Sequence, residues 1–318
     1  MQTIVLLYNL NRHEFEYETE FDSEITIDAI YNALKSNYDV VKLEVDRNFG
    51  WIKKLTDINP DLVFNICEGY NGPARESVYG AILEQLHINY SGPDSTNMLL
   101  CHNKSLAKEL LKNNVKVPRG YCVTKIEEVQ EFINLDYPYI VKLNSEGSSM
   151  GMSESSIVNN LAELKQEVEK LLKEYNRAVL IEKYVDGQDV SMAFVEGIGA
   201  LGPCQVLCDA QFYDYEMKSV KDNTVEIQGY DGHVNELKEI VRKIYQKLDL
   251  KGYSKIDFRI NSSGIYLIEV NAQVSFHPEG EFITCIKKDG YTFDGIINYI
   301  VEFALKNGEK INSIGVKR

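Results

Sequence analysis

Two short strand-like segments near the end of the chain constrain its fold and its chemistry most strongly. Residues 255–260 and Gly264–Asn271 flank a Ser-Ser-Gly sequence that is typical of a turn. Asp257 lies on the first segment, and Glu269 and Asn271 lie on one face of the second, because side chains two residues apart in a strand point the same way. The hairpin therefore brings two carboxylates and an amide oxygen together, a ligand set suited to Mg²⁺ shared with nucleotide phosphates. A solvated acidic hairpin is the alternative, and the surrounding Ile, Phe and Leu residues disfavour it, because uncompensated charge is costly there.

Composition limits the classes of protein and of partner. The 318 residues suffice for two or three subdomains with their own cores. The net charge of -14 argues against nucleic acid as a partner, although ATP needs only a few local cations. The cysteines Cys67, Cys101, Cys122, Cys204, Cys208 and Cys285 have no zinc-like spacing, and we expect buried or half-buried thiols.

The sequence gives no sign of a membrane segment. No apolar run approaches the length of a membrane span, and residues 1–8 predict a first strand where a signal peptide would carry a basic segment. We therefore expect a cytoplasmic protein without membrane or nucleic-acid partners.

Alternating strand and helix patterns predict an α/β (α+β) fold that opens with a mostly parallel sheet. The predicted domains are residues 1–100, 101–178 and 179–318. In the first domain, strands are predicted at 3–8, 40–45 and 61–65 and helices at 24–34 and 77–86. In the second, helices are predicted at 104–113, 127–133 and 161–175 and a strand at 139–142. In the third, strands are predicted at 179–184, 190–195 and 255–260 and a helix at 234–248.

A polar loop follows the predicted strand that ends at Lys142. Its residues, Glu146-Gly147-Ser148-Ser149-Met150-Gly151, combine glycines with hydroxyl groups, so that backbone N–H groups and Ser side chains can surround phosphate oxygens. A flexible polar turn is the alternative. Taken alone, Lys104 would be a surface lysine, and Glu182 with Lys183 would be a solvated pair.

Taken together, these segments resemble the ATP-grasp ligases, and within them the D-alanine–D-alanine ligase-like group. The resemblance covers nearly the whole chain through the order and spacing of short motifs. These are Val63-Phe64-Asn65, Glu68-Gly69, Ile82-Leu83-Glu84, Ile88–Gly92, Lys104, Tyr137–Lys142, Glu146–Gly151, Leu180–Val185, Asp257 and Glu269-Val270-Asn271.

The resemblance implies an ATP-grasp fold, in which the second and third domains clamp ATP, and it implies roles for individual residues. Lys104 and Lys142 would contact phosphates, and Glu146, Ser148, Ser149 and Met150 would form a lid over them. Glu182, Lys183 and Val185 would hold adenine, and Asp189 would hold the ribose hydroxyls. Asp257, Glu269 and Asn271 would bind Mg²⁺, with two ions expected and Mn²⁺ as a substitute. Lys255, Lys218 and Ser149 are the implied catalytic residues. Lys255 stands where the ligases usually carry an oxyanion-stabilising arginine, so the charge remains and the planar fork is lost.

The implied reaction joins amino acids or their derivatives by an amide bond. ATP phosphorylates a carboxylate to an acyl phosphate, an amine attacks it, and ADP and phosphate leave. Positioning and charge neutralisation suffice for this chemistry.

The expected substrate segments depart from the D-alanine–D-alanine ligase pattern. Residues 9–22 carry several acids, of which Glu20 and Glu24 are candidates for binding a substrate ammonium. Glu68 replaces a histidine, and Arg75 is a candidate for binding a carboxylate, with a surface cation as the equal alternative. Tyr215 belongs to a segment that resembles the family's mobile loop, for which a plain exposed loop is the alternative. The Pro-Gly turn after Asn271 is replaced by a segment whose candidates are Ser275, His277, Glu279 and Gly280. We expect an acceptor with a positive group or a larger body.

Three other functions stay open at this level. They are a true D-alanine–D-alanine ligase with divergent loops, a non-catalytic nucleotide-binding protein, and a kinase that phosphorylates without ligation. Retention of the metal and phosphate residues counts against the non-catalytic alternative. A homodimer is expected by analogy only.

Overall fold

The computed structural model describes residues 1–12, 15–132, 136–207 and 225–313. The N-terminal unit contains the parallel strands β1 (Thr3–Tyr8), β2 (Asp39–Glu44) and β3 (Leu62–Ile66) in the order β2-β1-β3. Helices α1 (Glu24–Leu34), α2 (Gly50–Ile58) and α3 (Arg75–Gln85) connect and follow them. Residues 4–7 of β1 are fully buried, as expected for a parallel strand covered on both faces. The predicted parallel sheet is confirmed.

The central unit contains an antiparallel sheet in the order β4-β7-β5-β6, built from β4 (Gly120–Val123), β5 (Tyr139–Leu143), β6 (Ile157–Val158) and β7 (Val179–Lys183). Helix α6 (Leu161–Tyr175) packs on it, and Leu164, Val168 and Leu171 are fully buried at helical spacing. Strand β7 lies between β4 and β5 and therefore belongs to the central unit. The boundary between the central and C-terminal units accordingly lies after Lys183, five residues beyond the predicted position at 178. A short apolar strand such as 179–181 carries no local signal of which sheet it joins.

The C-terminal unit has a sheet in the order β10-β9-β8-β11-β12. Its strands are β8 (Gln188–Val195), β9 (Gly199–Leu207), β10 (Glu226–Gly229), β11 (Tyr253–Asn261) and β12 (Gly264–Asn271). Helix α7 (Val234–Leu248) covers part of it through the buried residues Leu237, Val241 and Ile244, and the helices α8 (Glu281–Lys288) and α9 (Phe293–Ser313) follow. The strands β11 and β12 are antiparallel neighbours, which confirms the predicted hairpin.

Two short helices join the first unit to the others. Helix α4 (Ser95–His102) contains the predicted boundary at residue 100, and α5 (Lys104–Leu111) begins two residues after α4 ends. Asn103 separates them, and its side chain caps α5 by accepting a hydrogen bond from the Leu106 amide. This cap fixes the direction in which α5 starts, and therefore where Lys104 enters the cleft.

Several elements differ from the sequence expectation. The segment predicted as a helix at 127–133 is a 3-10 helix, Ile126–Phe132. Helices α2, α4, α8 and α9 were not anticipated, although α2 and α8 carry buried apolar residues at helical spacing, Trp51 and Leu55 in α2 and Phe282, Ile283 and Ile286 in α8. Cys122 is exposed, contrary to the expected buried thiols, and Cys208 lies outside the described residues. Within the described ranges, no helix combines the length and the apolar character needed to cross a membrane.

Candidate active site

The hairpin of β11 and β12 lies at one side of a cleft between the central and C-terminal sheets. Asp257 pairs with Glu269 and Lys255 pairs with Asn271 in the strand register, and the register shifts immediately after Asp257. The Asn271 amide nitrogen donates to Asp257 Oδ2 at 2.8 Å, so the expected ligand residues are in contact. Ser191 of the neighbouring strand β8 donates to Asp257 Oδ1 at 2.6 Å.

The electrostatics of this hairpin favour an added cation. The net pKa of Asp257 is raised to about 6, mainly by burial; Lys255 opposes this shift, and Glu281 and Glu269 add to it. Three oxygen-bearing side chains on one face, with repulsion among carboxylates, form a donor set that fits a hard divalent ion. Asp257, Glu269 and Asn271 are therefore the residues that would hold Mg²⁺.

Lys255 is bound tightly next to this donor set. Its Nζ lies 2.9 and 2.8 Å from the two Asp257 carboxylate oxygens and 2.8 Å from Glu281 Oε2. Burial lowers the pKa of Lys255, but the two carboxylates outweigh burial and the pKa is raised well above its usual value. Lys255 therefore carries its charge inside the cleft.

A row of three buried charged side chains lies on the side of the cleft where Lys142 is expected to bind phosphate. Glu182 is paired with Lys142 at 3.0 Å and with Lys108, and all three side chains are at most 8% exposed. Burial raises the pKa of Glu182, but the two lysines outweigh burial and the net pKa is lowered. Because the lysines engage both of its oxygens, Glu182 positions Lys142 here. Its expected contact with adenine remains a prediction.

The loop after β5, which is expected to bind phosphate, has an uncommon backbone conformation. Ser148 and Ser149 both have positive φ, 49° and 57°, which is uncommon for residues other than glycine and is seen at ligand sites. Lys104 Nζ donates to the Glu146 carbonyl oxygen and lies 3.6 Å from Glu269 Oε2, so it joins this loop to the hairpin. Met150 is buried in the central core and anchors the loop.

The predicted nucleotide residues after β7 are also engaged. Asp189 accepts two hydrogen bonds from Arg259, at 2.6 and 2.8 Å, and Val185 supplies a carbonyl oxygen 3.3 Å from the same guanidinium. Lys183 donates to the Tyr137 carbonyl oxygen at 3.0 Å. The expected contact of Asp189 with the ribose hydroxyls stays a prediction. In that contact the carboxylate would be shared with Arg259.

The cleft brings together predicted residues from both sheets. Those that line it are Lys104, Lys142, Glu146, Ser149, Met150, Asp189, Lys255, Asp257 and Glu269. Tyr215 and Lys218 lie outside the described residues.

A second cluster, of carboxylates around one guanidinium, lies beside the phosphate loop. Oxygen atoms of Glu20, Glu68 and Glu76 come within 4.8 Å of one another, and Arg75 lies among them, ion-paired with Glu20 and 3.2 Å from Glu146 Oε2. Arg75 also donates to the Glu68 carbonyl oxygen at 2.6 Å. A Cβ at residue 147 would meet the Glu20 carboxylate, so a larger residue there would displace this side chain. Arg75 neutralises carboxylates here, and its expected contact with a substrate carboxylate remains a prediction.

The carboxyl groups of this cluster shift one another's pKa. Burial raises the pKa of Glu68 well above its usual value, and Glu76 and Asp22 raise it further. Burial also raises the pKa of Glu76, but His102, whose Nδ1 lies 2.5 Å from Glu76 Oε1, outweighs burial, and the net pKa is lowered. A cation beside Glu68, such as a substrate ammonium, would favour the ionised form of this carboxyl and would take the place of its proton.

The segment after Asn271 forms the turn that leads into α8. Ser275 contacts Asp22 Oδ1 at 3.3 Å, and its hydroxyl accepts from the His277 amide at 3.3 Å. The Glu279 amide donates to His277 Nδ1 at 3.2 Å, the Glu279 side chain is exposed, and Gly280 is the N-cap of α8. These residues shape the turn, and their contact with a substrate is a prediction.

Asp22 gives the site a pH-dependent stability. Burial raises the pKa of Asp22 to about 7, partly offset by hydrogen bonds from Ser275 and Thr26. Between the unfolded value and about 7, the unfolded chain ionises while the folded chain keeps its proton, so stability is lost as pH rises through this range. We expect Asp22→Asn to match the wild type near pH 4 and to exceed it at pH 8 by about 1.4 kcal/mol per unit of pKa shift.

Urea unfolding at the two pH values measures this difference. Asp57→Asn, at an exposed helix position paired with Lys53, is the control and should change stability equally at both. Parallel pH profiles for the wild type and Asp22→Asn would contradict the assignment.

Several site residues were missed in the sequence. They are Lys108, Ser191, Arg259, Glu281 and the Glu76–His102 pair. Lys108 had a usable signal, since it is four residues from Lys104 on one helix face, and Arg259 is two residues from Asp257. Glu281 belongs to the acidic acceptor segment expected after Asn271, but its contact with Lys255 was not predicted. Ser191 and His102 had no local signal, because long-range packing brings them to the site.

The cleft lies between two sheets and is lined by lysines and by the carboxylates of the β11–β12 hairpin. This arrangement defines an ATP-grasp enzyme. Residues 114–302 match the family model described as D-ala D-ala ligase C-terminus. The D-alanine–D-alanine ligase of Aquifex aeolicus is 30% identical over 277 residues, which cover 86% of this chain and 92% of that protein. That of Wolbachia pipientis is 28% identical over 295 residues, 88% of each chain.

Solved structures show the same fold. The D-alanine–D-alanine ligase of Bacillus anthracis complexed with ATP superposes with a TM-score of 0.79 at 19% identity, covering 98% of this chain and 99% of the other. The VanG D-Ala:D-Ser ligase of Enterococcus faecalis gives a TM-score of 0.76 at 20% identity, covering 95% and 99%. The chain belongs to the D-alanine–D-alanine ligase family. It is an ATP-dependent carboxylate–amine ligase that forms an amide bond between small amino-acid substrates, and the family uses ATP with Mg²⁺.

Proposed function

We propose that this enzyme joins two amino acids or amino-acid derivatives whose identity differs from a pair of unmodified D-alanines. The observation that carries the proposal is the segment after Asn271, in which the expected Pro-Gly turn is absent. The cluster of Glu20, Glu68 and Glu76 suits the ammonium group that any amino acid carries, because a cation there would favour the ionised form of Glu68, whose pKa is raised without one. The altered turn at 272–280 supports a changed acceptor, because its candidate Glu279 is exposed and available to a positive group.

Each protein group has a physical task in the proposed reaction. Lys104 and Lys142 neutralise phosphate charge, and backbone N–H groups at Ser148 and Ser149 orient the phosphate oxygens. The first substrate places its carboxylate between this loop and Lys255, whose ammonium stabilises the oxyanion formed when the amine attacks the acyl carbonyl. When bound at Asp257, Glu269 and Asn271, Mg²⁺ supplies charge neutralisation for the triphosphate.

Other assignments belong to the same proposal. Two metal ions fit the two carboxylates and one amide of the hairpin, with Mn²⁺ as a substitute. Val185 and Lys183 hold adenine through backbone groups, and Asp189 holds the ribose. Tyr215 and Lys218 belong to the acceptor side by family resemblance. Because the reaction consumes ATP and free amino acids, we place the enzyme in the cytoplasm, and a homodimer is its proposed assembly.

A matrix of D- and L-amino acids and their derivatives tests the proposal. Phosphate release from ATP and Mg²⁺ is measured for every pair, products are identified by mass spectrometry, and Asp257→Asn is the inactive control. We expect an amide product from at least one pair that contains a residue other than D-alanine. Preferred formation of D-Ala-D-Ala would contradict the proposed substrate and support the activity named for the relatives.

A further inference from the structure

A carboxylate outside the expected metal-ligand set holds the lysine of the cleft. Glu281 Oε2 lies 2.8 Å from Lys255 Nζ, and the two side chains are 21% and 17% exposed. Glu281 is the first residue of α8, whereas Lys255 and Asp257 lie on β11. The lysine is therefore held between a strand and a helix that approach the cleft separately.

The hydrogen-bond geometry gives Glu281 a distinct task. An ammonium group has three N–H donors. Contacts to Asp257 at 2.9 and 2.8 Å and to Glu281 at 2.8 Å satisfy all three. Asp257 also accepts from Ser191 at 2.6 Å and from Asn271 at 2.8 Å, so its two oxygens are heavily used.

The same Asp257 oxygens are those expected to bind a divalent cation. A cation at this carboxylate competes directly with the lysine, because both need the same lone pairs. A lysine that loses these contacts can adopt many side-chain conformations again. The planar guanidinium of an arginine would restrict this motion more strongly. Glu281 can keep Lys255 Nζ in place while Asp257 binds the cation. The remaining N–H groups of Lys255 are then free to donate to a reacting oxygen.

We propose that Glu281 is a positioning residue that holds Lys255 towards the acyl carbonyl while Asp257 binds the divalent cation. This inference rests on the proposed function and adds a residue to its site. In this role Glu281 acts through Lys255. The lysine remains the group that contacts the reacting atoms.

A purely structural role for Glu281 has a different signature. A carboxylate in the first turn of a helix stabilises that helix by its interaction with the free N–H groups. Glu281→Asp keeps this negative charge but withdraws it by one methylene, so the helix keeps its stabilisation and Lys255 loses its contact. Glu281→Gln keeps the length and removes the charge.

The kinetic test compares these two variants. We expect kcat for amide formation to fall about 10- to 100-fold in both, somewhat less than the about 10²- to 10³-fold typical of losing an oxyanion donor itself. The KM for ATP should stay within about twofold, because nucleotide contacts lie elsewhere. Asp289→Asn, at the other end of α8 where Asp289 pairs with Lys238 at 2.9 Å, is the matched control and should retain wild-type kcat.

Three kinetic results would overturn the inference. Full activity of Glu281→Asp would assign Glu281 to helix stabilisation, and full activity of Glu281→Gln would show that its charge is not needed. An equal loss of kcat in Asp289→Asn would trace the effect to a displaced helix.

A double-mutant cycle of Lys255→Met and Glu281→Gln tests the pair without catalysis. Midpoints of urea unfolding are measured in metal-free buffer for the wild type, both single variants and the double variant. We expect the double variant to lose clearly less than the sum of the single losses, because the two groups contact each other. Additive losses would overturn the inference. A wild type that forms no amide would instead count against the proposed function, and the unfolding cycle would still decide the pairing.

Discussion

Asp257→Asn is expected to abolish amide formation, lowering kcat/KM at least about 1,000-fold. Removing the carboxylate removes a central metal ligand, and the charge stabilisation from a catalytic metal amounts to several kcal/mol, with about 1.4 kcal/mol per tenfold in rate. Asparagine has nearly the same shape. Lys255 keeps its 2.8 Å contact with Glu281, so one carboxylate still compensates the buried ammonium when Asp257 loses its charge. We therefore expect a folded, inactive variant, measured by phosphate release together with product mass spectrometry.

Asp249→Asn is the matched control for this variant. Asp249 ends α7 with an 85% exposed side chain paired to Lys251, and its positive φ of 49° is one that asparagine adopts readily. This control should keep wild-type activity. More than about a tenth of wild-type activity in Asp257→Asn would exclude Asp257 as a required ligand.

Glu182→Gln is expected to cost about 3–5 kcal/mol of the free energy of unfolding, the range for breaking a buried ion pair. Glu182 is 2% exposed and is paired with Lys108 and with Lys142. Removing its charge leaves two buried ammonium groups with repulsion between them and no compensating anion at that point. Loss of the partner would also release Lys142 from its position, so ATP affinity should fall with stability.

Urea unfolding and nucleotide titration measure these two losses. Glu239→Gln, which removes one half of an exposed pair with Arg242, serves as the control and should change stability by less than about 1 kcal/mol. A loss of under about 1 kcal/mol for Glu182→Gln would show that the buried ion pairs of Glu182 contribute little to the free energy of unfolding. Other contacts would then have to hold Lys142 in its position.

The hairpin could be predicted because its information is local. Asp257, Glu269 and Asn271 lie on two adjacent strands joined by a short turn, so alternation alone puts them on one face. The register confirms this arrangement, with Asp257 opposite Glu269. The same argument would have found Arg259, which lies two residues beyond Asp257 and holds Asp189.

What the sequence could not predict depends on packing between distant segments. Glu20, Arg75 and Glu146 were separate candidates, and their meeting in one charged cluster is set by how the N-terminal unit sits on the phosphate loop. The membership of β7 in the central sheet and the contact of Glu281 with Lys255 have the same origin. Side-chain chemistry identified the candidates, and tertiary structure decided which charges neutralise one another.

Transfer of a carboxylate oxygen to phosphate tests the central claim most directly. The first substrate is prepared with ¹⁸O in both carboxylate oxygens and is incubated with ATP, Mg²⁺ and the amine. Through an acyl phosphate, one labelled oxygen attacks the γ-phosphorus and leaves with inorganic phosphate, and the other stays in the amide carbonyl. We predict one ¹⁸O atom per phosphate released. Amide formation with unlabelled phosphate would contradict the acyl-phosphate mechanism and the site assigned to it.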